Sequence, residues 1–316
     1  ASIEILDLND VDVTGLDFSE FTGLKDLNLN SSEEFTAAHF ESISERSKAS
    51  IELLDLSFLN VKDFNLSEFT GLKNLGLCGV RDLTATQFNA ISSEAKASIE
   101  SLDLSALDIT DFDFSGFTNL KTLIILESEG VTAGQLNAIS PEAKTSIKEL
   151  CLGKSEIDVD GLDFSDFIRL EVLDLNNIEG LTATQFNAIP SEAKGSMKSL
   201  ELINVDVTGF DFSGFTNLKT LSLRDAEGLT SLPENIGDFT FLRFLSLSDN
   251  RDLTSLPTSI TNLSSFCGVE IEGCGISETV RERLQETANA EGYQGPRFHF
   301  SMAHLNPQES DTRTIE

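Results

Sequence analysis

The stretch from Ile51 to Ser98 is IELLDLSFLNVKDFNLSEFTGLKNLGLCGVRDLTATQFNAISSEAKAS, and most of the chain consists of copies of it. Sister copies start at intervals of 48, 48, 48 and 50 residues, at Ile3, Ile99, Ile147 and Met197. A fixed period of this kind indicates a solenoid, in which every unit buries its apolar side against the next unit. The repeat therefore has to be interpreted before any single motif.

Each copy contains two runs of the form L-x-x-L-x-L, which in this stretch cover residues 51–56 and 72–77. Successive runs start at residues 3, 24, 51, 72, 99, 120, 147, 170, 197, 218, 242 and 266. Most intervals are 21 or 27 residues, which is typical of leucine-rich repeats. Leu54 and Leu56 should point inward and Asp55 outward, because side chains alternate along a strand. The chain thus resembles leucine-rich repeat proteins, which implies an α/β solenoid, a horseshoe with a parallel β-sheet on its concave face.

The convex face should carry the segment that follows the second run, clearest as LTATQFNAISSEAKAS at residues 83–98. Thr84 and Gln87 have the spacing of a capping box, and Phe88, Ile91 and Ala95 share one helical face. We expect helices of three to four turns here, alternating with short 3₁₀ or coil segments after the first run.

Phenylalanines recur at equivalent places in those short segments. A buried aromatic spine explains one ring per repeat better than a ligand-binding stripe does. The residues are Phe18, Phe21, Phe69, Phe114, Phe117, Phe164, Phe167, Phe212 and Phe215.

The last repeats and the C-terminus differ from the rest. Two repeats of 24 residues carry proline where the earlier ones carry helix, and the asparagine that usually follows the run occurs once, as Asn250. Elsewhere we expect apolar packing to close that turn. A helix from Ser277 to about Asn289 should bury Val280, Leu284 and Ala288, and a short strand should run from Phe298 to Met302. These features predict a solenoid over 1–265, a C-terminal cap over 266–303 and a polar tail over 304–316.

Residues 218–303 resemble the leucine-rich repeat domain of IpaH-type bacterial effectors, the novel E3 ligase family. The matching features are Glu272-Gly273, Ile276-Ser277, Arg281, Leu284, Tyr293-x-Gly295-Pro296 and Phe300-Ser301-Met302. The resemblance implies a substrate-recognition domain of a ubiquitin ligase. In that family a separate domain carries the catalytic cysteine in a Cys-x-Asp motif, which residues 1–316 do not contain. The resemblance therefore implies no ligase activity for residues 1–316.

Charge restricts the possible partners. The chain has 53 acidic and 22 basic residues, a formal net charge of −31, and both nucleic acids and anionic membrane surfaces require a basic patch. A protein partner with a basic surface fits better, although an acidic surface can also serve solubility alone. No apolar run approaches the ~20 residues of a membrane span, and the first ten residues are not of leader type. We expect a bacterial protein, secreted into a host cell or cytoplasmic, that acts as a monomer.

Catalytic motifs are missing from the sequence. It contains neither H-E-x-x-H, nor a phosphate-binding G-x-x-x-x-G-K-[ST], nor G-x-S-x-G. Cys274 with His299 could in principle form a nucleophile and base, but structural, reduced thiols explain the four cysteines better. We therefore expect no enzyme, no metal and no cofactor.

The outward positions of the strands provide the candidate site. They combine acidic rungs with a few apolar residues, which suits a basic, partly apolar protein or peptide. The residues proposed to bind it are Asp7, Asn28, Asp55, Asp103, Ile124, Asp174, Glu201, Arg224 and Phe244. The first hypothesis is a protein-recognition module of a secreted bacterial effector. The alternative is a scaffold or adhesion-type protein that binds through its convex helices.

Overall fold

The structure is a computed structural model of the chain and describes residues 3–32 and 34–300. Each L-x-x-L-x-L run forms a strand of three residues that starts two residues into the run, which confirms the predicted solenoid. The strands described are β1 (Ile5–Asp7), β2 (Asp26–Asn28), β3 (Leu53–Asp55), β4 (Asn74–Gly76), β5 (Ser101–Asp103), β6 (Thr122–Ile124), β7 (Val131–Thr132), β8 (Glu149–Cys151), β9 (Ile157–Asp158), β10 (Val172–Asp174), β11 (Ser199–Glu201), β12 (Thr220–Ser222), β13 (Phe244–Ser246), β14 (Gly268–Glu270) and β15 (Arg297–His299).

All strands except β7 and β9 form one parallel sheet in chain order. The register is constant, so that Leu27 faces Leu54 and Leu54 faces Leu75, and every middle leucine meets the next one. Leu54 and Leu56 are fully buried and Asp55 is half-buried, as the alternation predicts. The result is one continuous apolar core behind the sheet.

The helices are shorter than the sequence predicts, because each predicted convex-side helix is divided into two short helices. The helices described are α1 (Ala37–Ser42), α2 (Glu45–Ser50), α3 (Ala85–Asn89), α4 (Ser93–Ser98), α5 (Ala133–Asn137), α6 (Pro141–Lys144), α7 (Ala183–Asn187), α8 (Ser191–Ser196) and α9 (Glu278–Ala288). Short 3₁₀ helices lie at Phe18–Glu20, Leu66–Glu68, Ile236–Asp238 and Thr258–Asn262.

The break between paired helices has a local cause. Ser92 is extended, and its side chain accepts a hydrogen bond from Ala95 N, so it caps a new helix in mid-segment. Pro141 and Pro190 stand at the same break in later copies. A residue that precedes proline avoids the helical conformation, so the break is built into those copies.

The capping boxes themselves are confirmed and extend between repeats. Thr84 accepts from Gln87 N while Gln87 accepts from Thr84 N. The amide of Gln87 also donates to Val61 O at 2.8 Å, in the preceding half-repeat. Gln135 and Gln185 repeat this contact, so one side chain starts the helix and ties it to its neighbour.

The aromatic spine is confirmed as core. Phe88 is fully buried and stacks on Phe112 with ring centroids 4.3 Å apart, and Phe117 of the same neighbouring unit lies at 5.7 Å. Eight of the nine predicted rings are buried, and Phe21 is half-buried. Each ring thus belongs to the contact between repeats, which is where a solenoid gains its stability.

The turns after the runs are closed differently from what was expected. Apolar residues close several of these turns. Where a serine or cysteine occupies the asparagine position, its hydroxyl or thiol donates the hydrogen bond that asparagine would donate. Ser128 donates to Leu104 O at 3.0 Å and Ser32 to Leu8 O at 2.8 Å. Asn250, which is buried, donates to Leu223 O at 2.7 Å and accepts from Ala226 N at 2.9 Å. A mixed polar ladder therefore exists where only apolar packing was predicted.

The C-terminal segment forms the expected strand, helix and strand. Ser277 caps α9, and the guanidinium of Arg281 donates to the carbonyls of Ile276 and Cys274 at 3.1 Å each. Val280, Leu284 and Ala288 are half-buried, where burial was expected, because α9 packs one side against the core and β15 and leaves the other side open to solvent. Strand β15 begins at Arg297, and the predicted strand residues 301–302 and the tail 304–316 lie outside the described residues.

Candidate functional site

Seven of the nine candidate residues share one column of the concave sheet. Each is the third residue of its strand, and the register places it opposite the third residue of the next strand. They are Asp7, Asn28, Asp55, Asp103, Ile124, Asp174 and Glu201, with Gly76 and Cys151 filling the remaining places. At ~4.8 Å per strand, this concave column is about 40 Å long.

The aspartates of the concave column also have a local structural role. Asp55 accepts a hydrogen bond from Ser57 N at 2.9 Å, and Asp103 accepts one from Ser105 N at 2.9 Å. Asp174 does the same with Asn176 N. Each carboxylate thereby satisfies an amide at the end of its strand, so a test of its charge must preserve this acceptor. Asparagine preserves it, and lysine does not.

Two glycines make room for these carboxylates. A Cβ on Gly76 would lie 2.7 Å from Oδ1 of Asp55, and one on Gly153 would overlap Oδ1 of Asp174. The glycines therefore let the acidic side chains lean over the neighbouring strand. The concave column presents carboxylate oxygens with shallow gaps between them.

A second column of charged residues, one residue before each strand begins, is neutralised. Lys25 pairs with Glu4 at 3.2 Å, Lys73 with Glu52 at 2.7 Å, and the ladder continues along the sheet to Lys121–Glu100, Lys148–Glu171 and Lys198–Glu171. Within the described residues, none of the ion pairs includes a carboxylate of the concave column. Basic side chains are thus present beside the column but are committed to other acids.

Acidic density is highest around β8, β10 and β11. Glu149 and Cys151 share one strand, Asp174 faces Cys151, and Glu201 faces Asp174. Burial, followed by the charge of Asp174, raises the pKa of Glu201 to about 7, against weaker hydrogen bonds from Ser222 and Ser199. Burial also raises the pKa of Asp174, and burial with the nearby carboxylates raises the pKa of Cys151 to about 12. The thiol therefore stays protonated at neutral pH and is a poor nucleophile.

Glu201 should make stability depend on pH. A carboxyl whose folded pKa is above its unfolded value favours folding in the protonated form, so this contribution is lost as pH rises from about 4.5 through 7. We expect Glu201→Gln to raise the free energy of unfolding at pH 8 by about 1–2 kcal/mol, and to leave pH 5 nearly unchanged. Urea unfolding at both pH values measures this. The exposed Glu192→Gln is the control, and equal pH slopes in the two variants would refute the assignment.

The two remaining candidates lie apart from the concave column. Arg224 follows β12 by two residues, and its guanidinium binds Asp249 at 2.9 Å. Phe244 is the first residue of β13 and is half-buried. The structure therefore gathers seven of the predicted residues in one row and places these two nearer the C-terminal end of the sheet.

Phe58 is a surface feature that sequence reasoning missed. It follows β3 by three residues, is 51% exposed, and has a φ of +65°, a conformation that bulky residues avoid. Its ring covers Gly79, where a Cβ would lie 2.7 Å from ring atoms. The equivalent place holds small or polar residues in other repeats, namely Asp10, Ser31, Ala106, Glu127, Lys154, Asn177, Asn204, Asp225 and Asp249. In the sequence, this feature was indicated by one aromatic residue at a position that is small or polar in the other repeats.

Replacing Phe58 with asparagine should separate stability from binding. Asparagine tolerates the left-handed conformation, so we expect the free energy of unfolding to rise by about 0.5–1 kcal/mol. An exposed aromatic at a binding surface contributes contact area, so binding by a concave-face partner should weaken several-fold. Urea unfolding and binding titration of the same sample test both. A destabilised variant, or one with unchanged affinity, would contradict this prediction.

Many other carboxylates also belong to turns. Asp12, Asp108 and Asp206 each accept from the amide two residues later, and hydrogen bonds from the threonine there lower the pKa of each carboxyl. Asp113 and Asp211 do the same with serine at the next turn. Part of the large negative charge thus follows from repeated turn chemistry.

Neither a metal cluster nor a membrane helix occurs among the residues described. No group of three or more histidine, cysteine or acidic residues at 3–32 and 34–300 is placed to hold a metal ion. No described helix is both long and apolar enough to cross a membrane.

No protein-family model matches the chain, and no curated protein matches it significantly. Solved structures do resemble it. The functional domain of InlJ from Listeria monocytogenes, which includes a cysteine ladder, is 19% identical with a TM-score of 0.51, over 74% of this chain and 51% of that one. A leucine-rich repeat protein of Leptospira interrogans is 19% identical with a TM-score of 0.48, over 85% and 83%. An internalin, InlF, of Listeria monocytogenes is 15% identical with a TM-score of 0.48, over 86% and 90%.

At these identities the likeness concerns the fold. The parallel sheet in chain order, the constant register and the similarity to InlJ agree. The chain has the leucine-rich repeat fold.

Proposed function

We propose that the chain is a protein-recognition module that binds a basic, partly apolar polypeptide on its concave sheet. The observation that carries this proposal is the row of carboxylates without basic partners, beside a row of glutamates that are all paired with lysine. Burial disfavours the ionised forms of Asp174 and Glu201 in the free protein, and a partner that supplies the opposite charge would relieve this cost. Ile124 in the same row, and Phe58 beyond it, supply apolar contact.

The raised pKa of Glu201 adds to this proposal. A lysine or arginine placed beside Asp174 and Glu201 would favour the ionised form of Glu201, so binding would release a proton. Binding should therefore strengthen between pH 6 and pH 8. This dependence has the opposite sign from the dependence of stability on pH at the same residue.

An unbiased peptide library tests the proposal without a known partner. We expect selection against the protein to enrich lysine and arginine together with apolar residues. The triple variant Asp55→Asn, Asp103→Asn and Asp174→Asn removes three charges and keeps the backbone acceptors. It should weaken the selected peptides about tenfold at physiological salt, with a reduced dependence on salt.

A matched control carries the same change of charge on the convex side. Glu94→Gln, Glu142→Gln and Glu192→Gln alter three exposed residues on α4, α6 and α8. The control should bind like the unaltered protein. Equal loss in both triples would mean that net charge alone matters, and loss in the control only would move the site to the convex face.

The convex face is the second candidate for one specific reason. Its repeated lysines, Lys48, Lys96, Lys144 and Lys194, are buried, and three of their ammonium groups lie 5.6–5.9 Å from a phenylalanine ring centroid. The exposed charges of these helices are therefore mainly glutamates, so this face is also acidic. It lacks the continuous sheet that could pair with an extended chain.

We also propose that the chain is the substrate-binding domain of a secreted bacterial effector. As an alternative, it is the substrate-recognition part of a ubiquitin ligase. This proposal rests on the resemblance of residues 218–303 to IpaH-type effectors. Secretion assays with a reporter fused to the chain, and proximity labelling in host cells, test it. Failure of the reporter to leave the bacterium would argue for a cytoplasmic role.

A further inference from the structure

The double repeat that starts at Ile147 differs from the other copies in the length of its first half. The interval from Ile147 to Leu170 is 23 residues, whereas the equivalent intervals are 21. The two extra residues lie in the loop after β8. This loop forms β9, which pairs backward with β7 of the preceding unit.

In three other double repeats the equivalent loop pairs forward, with the second half of its own copy. Ile109 N donates to Glu129 O at 3.0 Å and Glu129 N to Leu107 O at 2.8 Å. Val207 N donates to Glu227 O and Glu227 N to Val205 O, both at 2.9 Å. Arg81 makes the same two bonds, accepting from Val61 N at 3.0 Å and donating to Leu59 O at 2.8 Å.

In the long repeat this forward pair is absent. The residues that would form it are Asp158 and Glu179, and within the described chain Glu179 makes no backbone hydrogen bond to the 157–161 segment. The side-chain cover is missing as well. A Cβ on Gly130 or Gly228 would overlap the threonine of the preceding loop, whereas one on Gly180 would meet only Val159 at 3.5 Å. The two halves of this copy have separated along one edge.

The separation leaves a groove. Two adjoining depressions of about 600 and 740 Å³ lie between residues 154–161 and residues 177–185. Ile157 is half-buried in its wall, and the exposed Glu156, Asp158, Asp160 and Glu179 surround it. The lining also includes Lys154, whose ammonium group pairs with Glu127 at 2.9 Å. None of these four carboxylates takes part in an ion pair among the described residues.

We propose that this lateral groove binds an extended, lysine-rich peptide segment of a partner protein, which adds as a strand to the free edge of β9. In the part of the chain that the structure describes, Val159 N and Ile157 O lack the backbone partners that Ile109 N and Leu107 O have in the preceding copy, and an added strand would take its affinity from these two groups. The surrounding carboxylates select basic side chains, and Ile157 favours an apolar residue between them. The site is separate from the concave column and does not depend on it.

A defined probe tests the groove. The probe is a fluorophore-labelled hexapeptide of alternating lysine and valine, and its control has the same charge but N-methylated valines. Both are titrated against the full chain by fluorescence anisotropy at physiological salt. We expect the methylated peptide to bind at least about tenfold more weakly, because it cannot donate at those positions.

Two double variants locate the binding. Asp158→Asn with Glu179→Gln removes two charges from the groove, and we expect about fivefold weaker binding of the probe. Asp206→Asn with Glu227→Gln makes the same change where the loops are paired, and should have no effect. Both double variants are made in the background of the concave triple variant, which removes binding of the basic probe to the concave column, so this test can fail while the concave proposal stands.

Three outcomes would overturn the proposal. They are equal binding of the methylated and unmethylated peptides, equal loss in both double variants, and photo-cross-linking of the probe to the concave strands in place of residues 154–161 or 177–185. Cross-links confined to those two segments, with loss only in the groove variant, support it.

Discussion

Replacing Phe88 with alanine is expected to lower the free energy of unfolding by about 3–5 kcal/mol. Phe88 is fully buried and contacts the rings of Phe112, Phe114 and Phe117, all in the next half-repeat. Its loss leaves a cavity between units and weakens the contact through which repeats stabilise one another. The chain should then unfold in two steps, with the segments on either side of the cavity melting apart.

Phe58→Ala is the matched control, since it removes the same side chain from an exposed position. We expect a change below about 1 kcal/mol and a single transition. Calorimetry and urea unfolding followed by circular dichroism measure both variants. If Phe88→Ala costs no more than Phe58→Ala, the aromatic spine is not the main contact between repeats.

Replacing Asn250 with alanine is expected to cost about 2–4 kcal/mol. The side chain is 3% exposed, and its loss leaves Leu223 O and Ala226 N without their partner in the interior. Each unsatisfied buried polar group costs about 1–3 kcal/mol. Urea unfolding measures the loss.

Serine at this position is the informative second variant. Ser128 and Ser32 show that a hydroxyl here can reach the carbonyl of the preceding run. Asn250→Ser should therefore recover about half of the loss. An alanine variant as stable as the original, or a serine variant no better than alanine, would contradict the polar ladder.

The fold was predictable because the repeat itself carries the information. The inward leucines, the strand positions and the capping boxes follow from a period of 48 residues and from alternation along a strand. The helix break was also predictable in hindsight. Pro141 and Pro190 occupy the break in two copies, and serine, a strong helix-capping residue, occupies it in others.

The site was predictable only as a row of positions. Alternation places Asp55, Asp103 and Asp174 outward, but it cannot show that their oxygens hold backbone amides or that lysines next to them are already paired. Those facts depend on contacts across strands. Phe58 and the groove beside β9 were identified only from the structure. The exposure of Phe58 depends on a backbone angle, and the groove depends on a missing pair of hydrogen bonds.

The proposed function depends most on the binding of a partner to the concave sheet. The most direct measurement is photo-cross-linking of a library-selected basic peptide to the chain carrying benzoylphenylalanine at one position. Position 124 lies in the concave column and position 142 on the convex α6. We predict efficient cross-linking from position 124, with competition by unlabelled peptide, and only background from position 142. Cross-linking from position 142 with none from position 124 would contradict it.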